Sequence, residues 1–392
     1  MSDFAITINP AKAVRVAQQT TLFDGKLVNK TTLDTDLWCS AVGGSGSLDY
    51  SNGNRVLMSV SGNGDYAILQ SNRFMPYFSG KVQDVEGTFI SFQLQSGIIK
   101  RFGYFSRNAV APFNSNLDGF WIESNGDENR LKVISKNDGV ETTVFQVAIG
   151  QPDAIPECDW AKFNVVLFSF LWLGGAALEV AQAFPQGFKV IGSSSISGMK
   201  NDVICKSPNQ PICYEIRSTG GSGSFTAVCN QVATAGSINE SGRGRIARNI
   251  ISIPASVADT VYFLLAVRRN TANRNLALLI NSIEGVLRTK DDAGTLIIAK
   301  TPTLTGDALV WAAHETGEFD VALATNQTAT ALGRIIDARN MTSSGMADTN
   351  LDNNVMSWLS SDIQNSADIF ALLYIPETNN QYIKGLLHLK IF

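Results

Sequence analysis

The stretch Thr88-Phe89-Ile90-Ser91-Phe92-Gln93-Leu94 sets the fold class. In an extended chain successive side chains point to opposite faces, so Phe89, Ser91 and Gln93 share one face and Ile90, Phe92 and Leu94 the other. That period of two predicts a half-buried strand. Asn54 to Val60 and Tyr66 to Gln70 precede it, and Ile98 to Phe105, Gly119 to Glu123, Arg130 to Ile134 and Thr142 to Val147 follow in the same texture. Between them stand turn clusters such as Ser51-Asn52-Gly53, Ser124-Asn125-Gly126-Asp127 and Lys136-Asn137-Asp138-Gly139, rich in the residues that tolerate left-handed backbone. Strand after strand at short intervals, without a helical period between them, predicts an all-β chain of two consecutive β-sandwich or jelly-roll-like domains.

The texture changes from Thr219 to Arg248, where small and polar residues flank the apolar Phe225 to Val232. A boundary near Arg248 follows, with an expected division into a short N-terminal arm (1–30), a large sandwich (31–248) and a C-terminal sandwich (249–392). Beyond it strands are expected at Val261 to Val267, Leu276 to Ile283, Thr295 to Ala299, Glu318 to Ala324, Gly333 to Asp337 and Asp368 to Tyr374. In the closing run, Ile383, Leu387, Leu389 and Ile391 share one face with Gly385, opposite Tyr382, Lys384, His388 and Lys390. A short helix is expected near Asn354 to Ile363. The most apolar run, Phe163 to Ala177, is shorter than the ~20 residues a membrane span needs, and Gly174-Gly175 interrupts it. It reads as a buried strand and a turn.

Composition narrows the function. The 392 residues carry a net charge of −4, with 17% charged residues and 33 glycines. That lacks the basic footprint for binding a phosphate backbone, so nucleic acid is not an expected partner. Two histidines, His314 and His388, leave little of the side chain most used for proton transfer and metal binding near neutral pH. Cys39, Cys158, Cys205, Cys213 and Cys229 show no CxxC spacing, and reduced thiols from a cytoplasm are the simplest reading.

The motifs are weak as chemistry. Gly62-Asn63-Gly64-Asp65-Tyr66-Ala67 has dinucleotide-like spacing, but a strand-like run follows where a helix would be needed, so a hairpin turn is expected. Asp348, Asn350 and Asp352 alternate oxygen ligands like the start of a calcium loop, but Asn353 and Leu359 stand where the glycine and bidentate glutamate belong. They form a weak calcium candidate beside an Asx-rich turn. Acid pairs such as Asp34 with Asp36, or Asp291 with Asp292, supply the minimum equipment for glycan hydrolysis and nothing more specific. Arg243, Arg245 and Arg248 form one basic patch, and Arg268, Arg269 and Arg274 a second, each able to clamp a carboxylate or phosphate on a partner. The six tryptophans, mostly within strand-like runs, are expected in the core. No cofactor is implied.

Four blocks carry a resemblance: GNGDYAILQSNRFMPYFSGK, IIKRFGYFSRNAVAPFNSNLDGFWIES, FSFLWLGGAALEVAQAF and SPNQPICYEIRSTGGSGSFTAVCNQVATAG. They resemble a family of virion structural proteins of tailed bacteriophages and large DNA viruses. Its ordered motifs fall on Arg73, Pro76, Tyr77, Gly80 and Lys81, then Arg101, Gly103, Tyr104 and Phe105, then Asp118 and Gly119, then Trp172, Leu173 and Gly174, and finally Pro211, Tyr214, Glu215 and Ile216. Cys213 departs from the arginine common in that place. The resemblance runs from about Gly62 to Gly236, with weaker likeness in GRIIDARNM and DIFALLYIPE.

It implies a non-enzymatic virion subunit, made in the host cytoplasm and placed on the particle exterior as a tail, baseplate or fibre component or a capsid decoration. Its partners would be other virion proteins and copies of itself, and residues 1–30 would order on a neighbouring subunit. The alternative is a host-receptor or glycan-binding module of the virion. An envelope-polysaccharide hydrolase is the enzymatic competitor.

Overall fold

The computed structural model describes residues 19–27, 31–106, 118–128, 130–137, 139–148, 158–172, 177–195, 203–236, 243–249, 252–270, 276, 278–287, 293–341, 347–350, 358–359 and 369–391. Among them the regular elements are strands, and the chain is all-β as its alternation predicts. It divides between Asn239 and Glu240 into two compact units.

The first unit is a sandwich of an eight-stranded and a seven-stranded sheet. The larger runs Gly187–Ser195, Ala177–Phe184, Asn164–Phe170, Gln83–Ile90, Gly223–Ala235, Val56–Val60 and Ser47–Asp49, with Gln19–Lys26 also paired to Gly223–Ala235. The smaller runs Val140–Ala148, Arg130–Asn137, Asp118–Asn125, Ile98–Ser106, Ile212–Ser218, Tyr66–Ser71 and Trp38–Gly43. Aromatic rings fill the space between them. Phe102 of the smaller sheet lies 5.4 Å from Phe89 and 5.9 Å from Phe168 of the larger. Burying such rings is worth on the order of 2 kcal/mol each, and their tilted contacts add a little more.

Residues of the resembling motifs hold this scaffold together. Arg73 donates to the Leu22 carbonyl at 3.0 Å, and the Tyr77 hydroxyl accepts from the Trp172 amide at 2.9 Å. Asp118 accepts from the Lys206 and Ser207 amides at 2.7 and 2.9 Å and from Gln210 at 2.7 Å. Gly103 and Gly119 sit where neighbouring backbone comes close, since a Cβ on Gly119 would lie 2.3 Å from the Tyr104 oxygen.

The second unit is also two-layered. One sheet runs Arg243–Arg248, Gln381–Ile391, Leu278–Leu287 and Ala347–Asn350, with Ile253–Ala255 and Trp358–Leu359 paired at its strands. The other runs Thr303–Thr305, Thr328–Ala331, Tyr262–Arg269, Ile369–Pro376, Gly294–Lys300 and Arg334–Met341, with Phe319–Leu323 and Trp311–Ala313 branching from Tyr262–Arg269. One apolar cluster, including Leu264, Ile283, Leu372 and Leu387, fills its interior. The closing strand alternates as expected, with Ile383, Leu387, Leu389 and Ile391 buried and Tyr382 exposed.

Several expectations need correction. The strand read at Thr88 to Leu94 is Gln83–Ile90, because Ser91 takes φ +64° and breaks the alternation. Phe89 and Phe92 are therefore both buried, with ring centroids 4.6 Å apart. The expected arm is in part a strand of the larger sheet, Gln19–Lys26, with Leu22 and Phe23 in the core. Arg243–Arg248 belongs to the second unit, because it pairs along Leu386 to Ile391 of the closing strand.

Within the expected helix, Trp358–Leu359 pairs instead with Leu278 and Leu279, and the remainder lies outside the described residues. The turn at Gly62 to Asp65 passes from Val56–Val60 in one sheet to Tyr66–Ser71 in the other, so it is no hairpin. Asn164–Phe170 is an interior strand of the larger sheet, as its apolar run suggests. No helix among the described residues is long and apolar enough to cross a membrane.

Candidate functional site

Two grooves stand out, one in each unit. The first, of about 490 Å³, is lined by Ser45, Ser59, Ser61, Ser91, Ser222, Ser224, Gln93, Gln95, Val60 and Gly223. Its floor is a cross-strand row. Ser47 is registered opposite Ser59, and Ser59 opposite Ser224, on three adjacent strands. Met58 and Val60 bury their side chains in the core while Ser59 alternates outward, which is why a strand with an apolar inner face presents a hydroxyl here.

The walls are loops tied by polar contacts. Asp65 accepts the Ser45 amide at one carboxylate oxygen (3.0 Å) and the Ser61 and Gly62 amides at the other (3.1 and 2.6 Å), fixing the loops that carry Ser45 and Ser61. Hydrogen bonds from the Ser45 and Gly62 amides hold its carboxyl below the usual carboxylate range. Opposite, Gln95 donates to the Ser222 carbonyl at 2.6 Å, and the Thr219 amide donates to the Gly97 carbonyl at 2.8 Å.

Behind the Ser91–Gln93 wall lies Lys100, fully buried, whose ammonium donates to the Ser91 carbonyl at 2.6 Å and the Gln93 carbonyl at 3.3 Å. Burial pushes its pKa down to about 8. Gln93 Oε1 is buried and has no hydrogen-bond partner among the described residues. A buried amide oxygen without a donor costs roughly 1–3 kcal/mol of stability.

The second groove, of about 590 Å³, lies between Arg243–Arg248 and the Trp311–Ala313 hairpin, and Arg245 and Arg248 line it. The structure qualifies the expected arginine clamp. Arg245 is engaged by Glu318 in a bidentate pair, Nε to Oε2 at 2.7 Å and Nη2 to Oε1 at 3.1 Å. Arg248 is exposed, and Arg243 lies on the same strand. Thr316 donates to Glu318 at 2.8 Å and lies 3.0 Å from His314 Nδ1, while the His314 ring stacks on Phe319 at 4.4 Å. In the other basic group, Arg268 pairs with Asp320 at 3.0 Å over the Trp311 ring, and Arg269 is buried. Arg274 lies outside the described residues.

The calcium candidate is not a loop where it is described. Asp348 and Asn350 lie in the strand Ala347–Asn350, registered opposite Glu284 and Ser282. An extended backbone separates alternate residues by about 6.7 Å and does not wrap one ion. Asp352 lies outside the described residues, and among those described no group of metal-ligating side chains is close enough to hold an ion.

Of the acid pairs, Asp34 caps a local turn by accepting the Asp36 amide, and Asp291 and Asp292 lie outside the described residues. The buried carboxylates of Glu123 and Glu215 flank Arg101 at 2.8 and 3.9 Å beside Trp121 and line neither groove. Trp38, Trp121 and Trp160 are core residues, as expected. The five cysteines form no disulfide.

Sequence reasoning missed the serine groove. Its lining is drawn from positions 45 to 224, and no local spacing unites them. The one signal is the STGGSGS run at Ser218 to Ser224, which opens the texture change before the expected domain boundary.

No protein-family model and no curated protein matches the chain. Solved structures resemble its fold at a distance. The carbohydrate recognition domain of Emp47p is 13% identical with a TM-score of 0.38, covering 56% of this chain and 97% of that one. A legume lectin-like domain from Entamoeba histolytica is 12% identical with a TM-score of 0.36, covering 54% and 97%. A protein of galectin-like fold from Bacillus subtilis is 9% identical with a TM-score of 0.40, covering 57% and 100%. Likeness at this level bears on neither ligand nor partner.

Proposed function

We propose that this chain is a non-enzymatic glycan-binding module of a virus particle, and that the serine groove of the first unit is where the glycan binds. The observation that carries this reading is the lining: six serines and two glutamines line one groove. A saccharide presents hydroxyls that both donate and accept, and serine and glutamine reciprocate in both senses. The virion context is supported by the motif order from Gly62 to Gly236, whose residues serve here as fasteners of the scaffold.

Two measurements test it. On a glycan array the purified chain binds a defined set of saccharides, and Ser59→Ala and Ser224→Ala each weaken that binding about fivefold, the value of one hydrogen bond. Binding untouched by both changes refutes the groove. Mass spectrometry of purified particles should find the chain in a fixed copy number, and its absence from particles refutes the virion setting.

A further inference from the structure

We infer that the serine groove selects uncharged saccharides and binds them without a bridging metal ion, an inference that rests on the glycan-binding reading above. The two formal charges that shape the groove walls are both committed to the fold. Asp65 is 6% exposed, and its two oxygens already accept three backbone amides. A cation seated there would have to displace the bonds that shape the loops of Ser45 and Ser61. Lys100 is fully buried, and its ammonium is directed at the Ser91 and Gln93 carbonyls. What remains for a ligand is hydroxyls, side-chain amides and the backbone at Gly223.

An acidic sugar entering this groove would shed water from its carboxylate with no guanidinium or ammonium among the described lining residues to receive it. An unpaired charge transferred in that way costs far more than a hydroxyl that finds a partner. A neutral sugar faces no such penalty.

The test uses the full chain on matched glycans: neutral mannosyl, glucosyl and galactosyl oligosaccharides, and the same cores carrying sialic or glucuronic acid, each in calcium and in EDTA. The expected result is binding of one or more neutral glycans, at least tenfold weaker binding of the acidic partner, and less than a twofold change on chelation. Gln93→Leu should weaken neutral binding about fivefold, with an unchanged melting temperature showing that the fold survives. Preference for the acidic glycan, or loss of neutral binding in EDTA, overturns this inference and leaves glycan binding standing. Absence of binding to every glycan overturns both.

Discussion

Lys100 Nζ donates to the Ser91 carbonyl at 2.6 Å, so a fully buried ammonium holds the one residue, at φ +64°, that ends the strand beside the serine groove. Burial pushes the Lys100 pKa down to about 8 from 10.5. Below pH 8 the folded state carries the cost of a desolvated charge. Between pH 8 and 10.5 the unfolded chain binds the proton that the folded chain has released, so stability rises with pH across that window. The gain is on the order of 3 kcal/mol. Denaturant unfolding of wild type and Lys100→Met at pH 7 to 10 should show the wild type gaining on the variant above pH 8. A constant difference across that range would contradict the burial of a charged lysine.

Glu86 carries the opposite sign. Burial, and then the nearby Asp84, raises its carboxyl above the usual value of 4.5. The folded state binds the extra proton at mildly acidic pH, so this group's penalty is present at neutral pH and fades as pH falls through the raised value. Glu86→Gln is therefore expected to raise the melting temperature at pH 7, with the advantage gone by about pH 4. An advantage that persists at pH 4 would assign the gain to packing.

Gly119→Ala should disrupt the first unit. The backbone there has φ +124°, and the new Cβ would meet the Tyr104 oxygen at 2.3 Å and the Phe105 Cα at 2.7 Å. Both contacts are backbone in the centre of a sheet and cannot yield, so a loss of several kcal/mol or failure to fold is expected. Gly64→Ala, at φ +86° with open space around it, should cost only about 1 kcal/mol. Comparable melting temperatures for the two variants would show the close approach to be unimportant.

Removing residues 1–30 should destabilise the first unit and not merely detach an arm. The deletion takes Leu22 and Phe23 out of the core. It also strips the Gly223–Ala235 strand of its partner over Cys229 to Thr234, which pair with Lys26 back to Thr20. Two buried side chains are worth on the order of 4 kcal/mol. A truncated chain with the full-length melting temperature would restore the arm reading.

Arg245 and Glu318 should show only a small favourable coupling in a double-mutant cycle, since both side chains are partly exposed and solvent screens the pair. Zero coupling would mean that the bidentate geometry is not maintained in solution.

The alternation in Gln381–Ile391 could be read directly, because a strand with one face buried writes its burial into every second residue. The same rule failed at Ser91, where one positive φ turned Phe92 back into the core beside Phe89. Periodicity assumes a continuous extended backbone, and a local reversal has no periodic signature. The arginines of Arg243–Arg248 were visible as a patch, but the engagement of Arg245 depended on Glu318, 73 residues away.

By itself the amino-acid order determined that this chain folds as strands in layered sheets, where most of the turns between them fall and which face of the closing strand is buried. Those properties arise from steric and solvation preferences acting within a few neighbouring residues. Tertiary structure decided that Ser45, Ser59, Ser91 and Ser224 share one groove, and that Asp65 and Lys100 spend their charges on its walls. Which strands become neighbours is settled by packing the whole sandwich at once, and hydrogen bonds between distant loops form only after that packing brings them within reach.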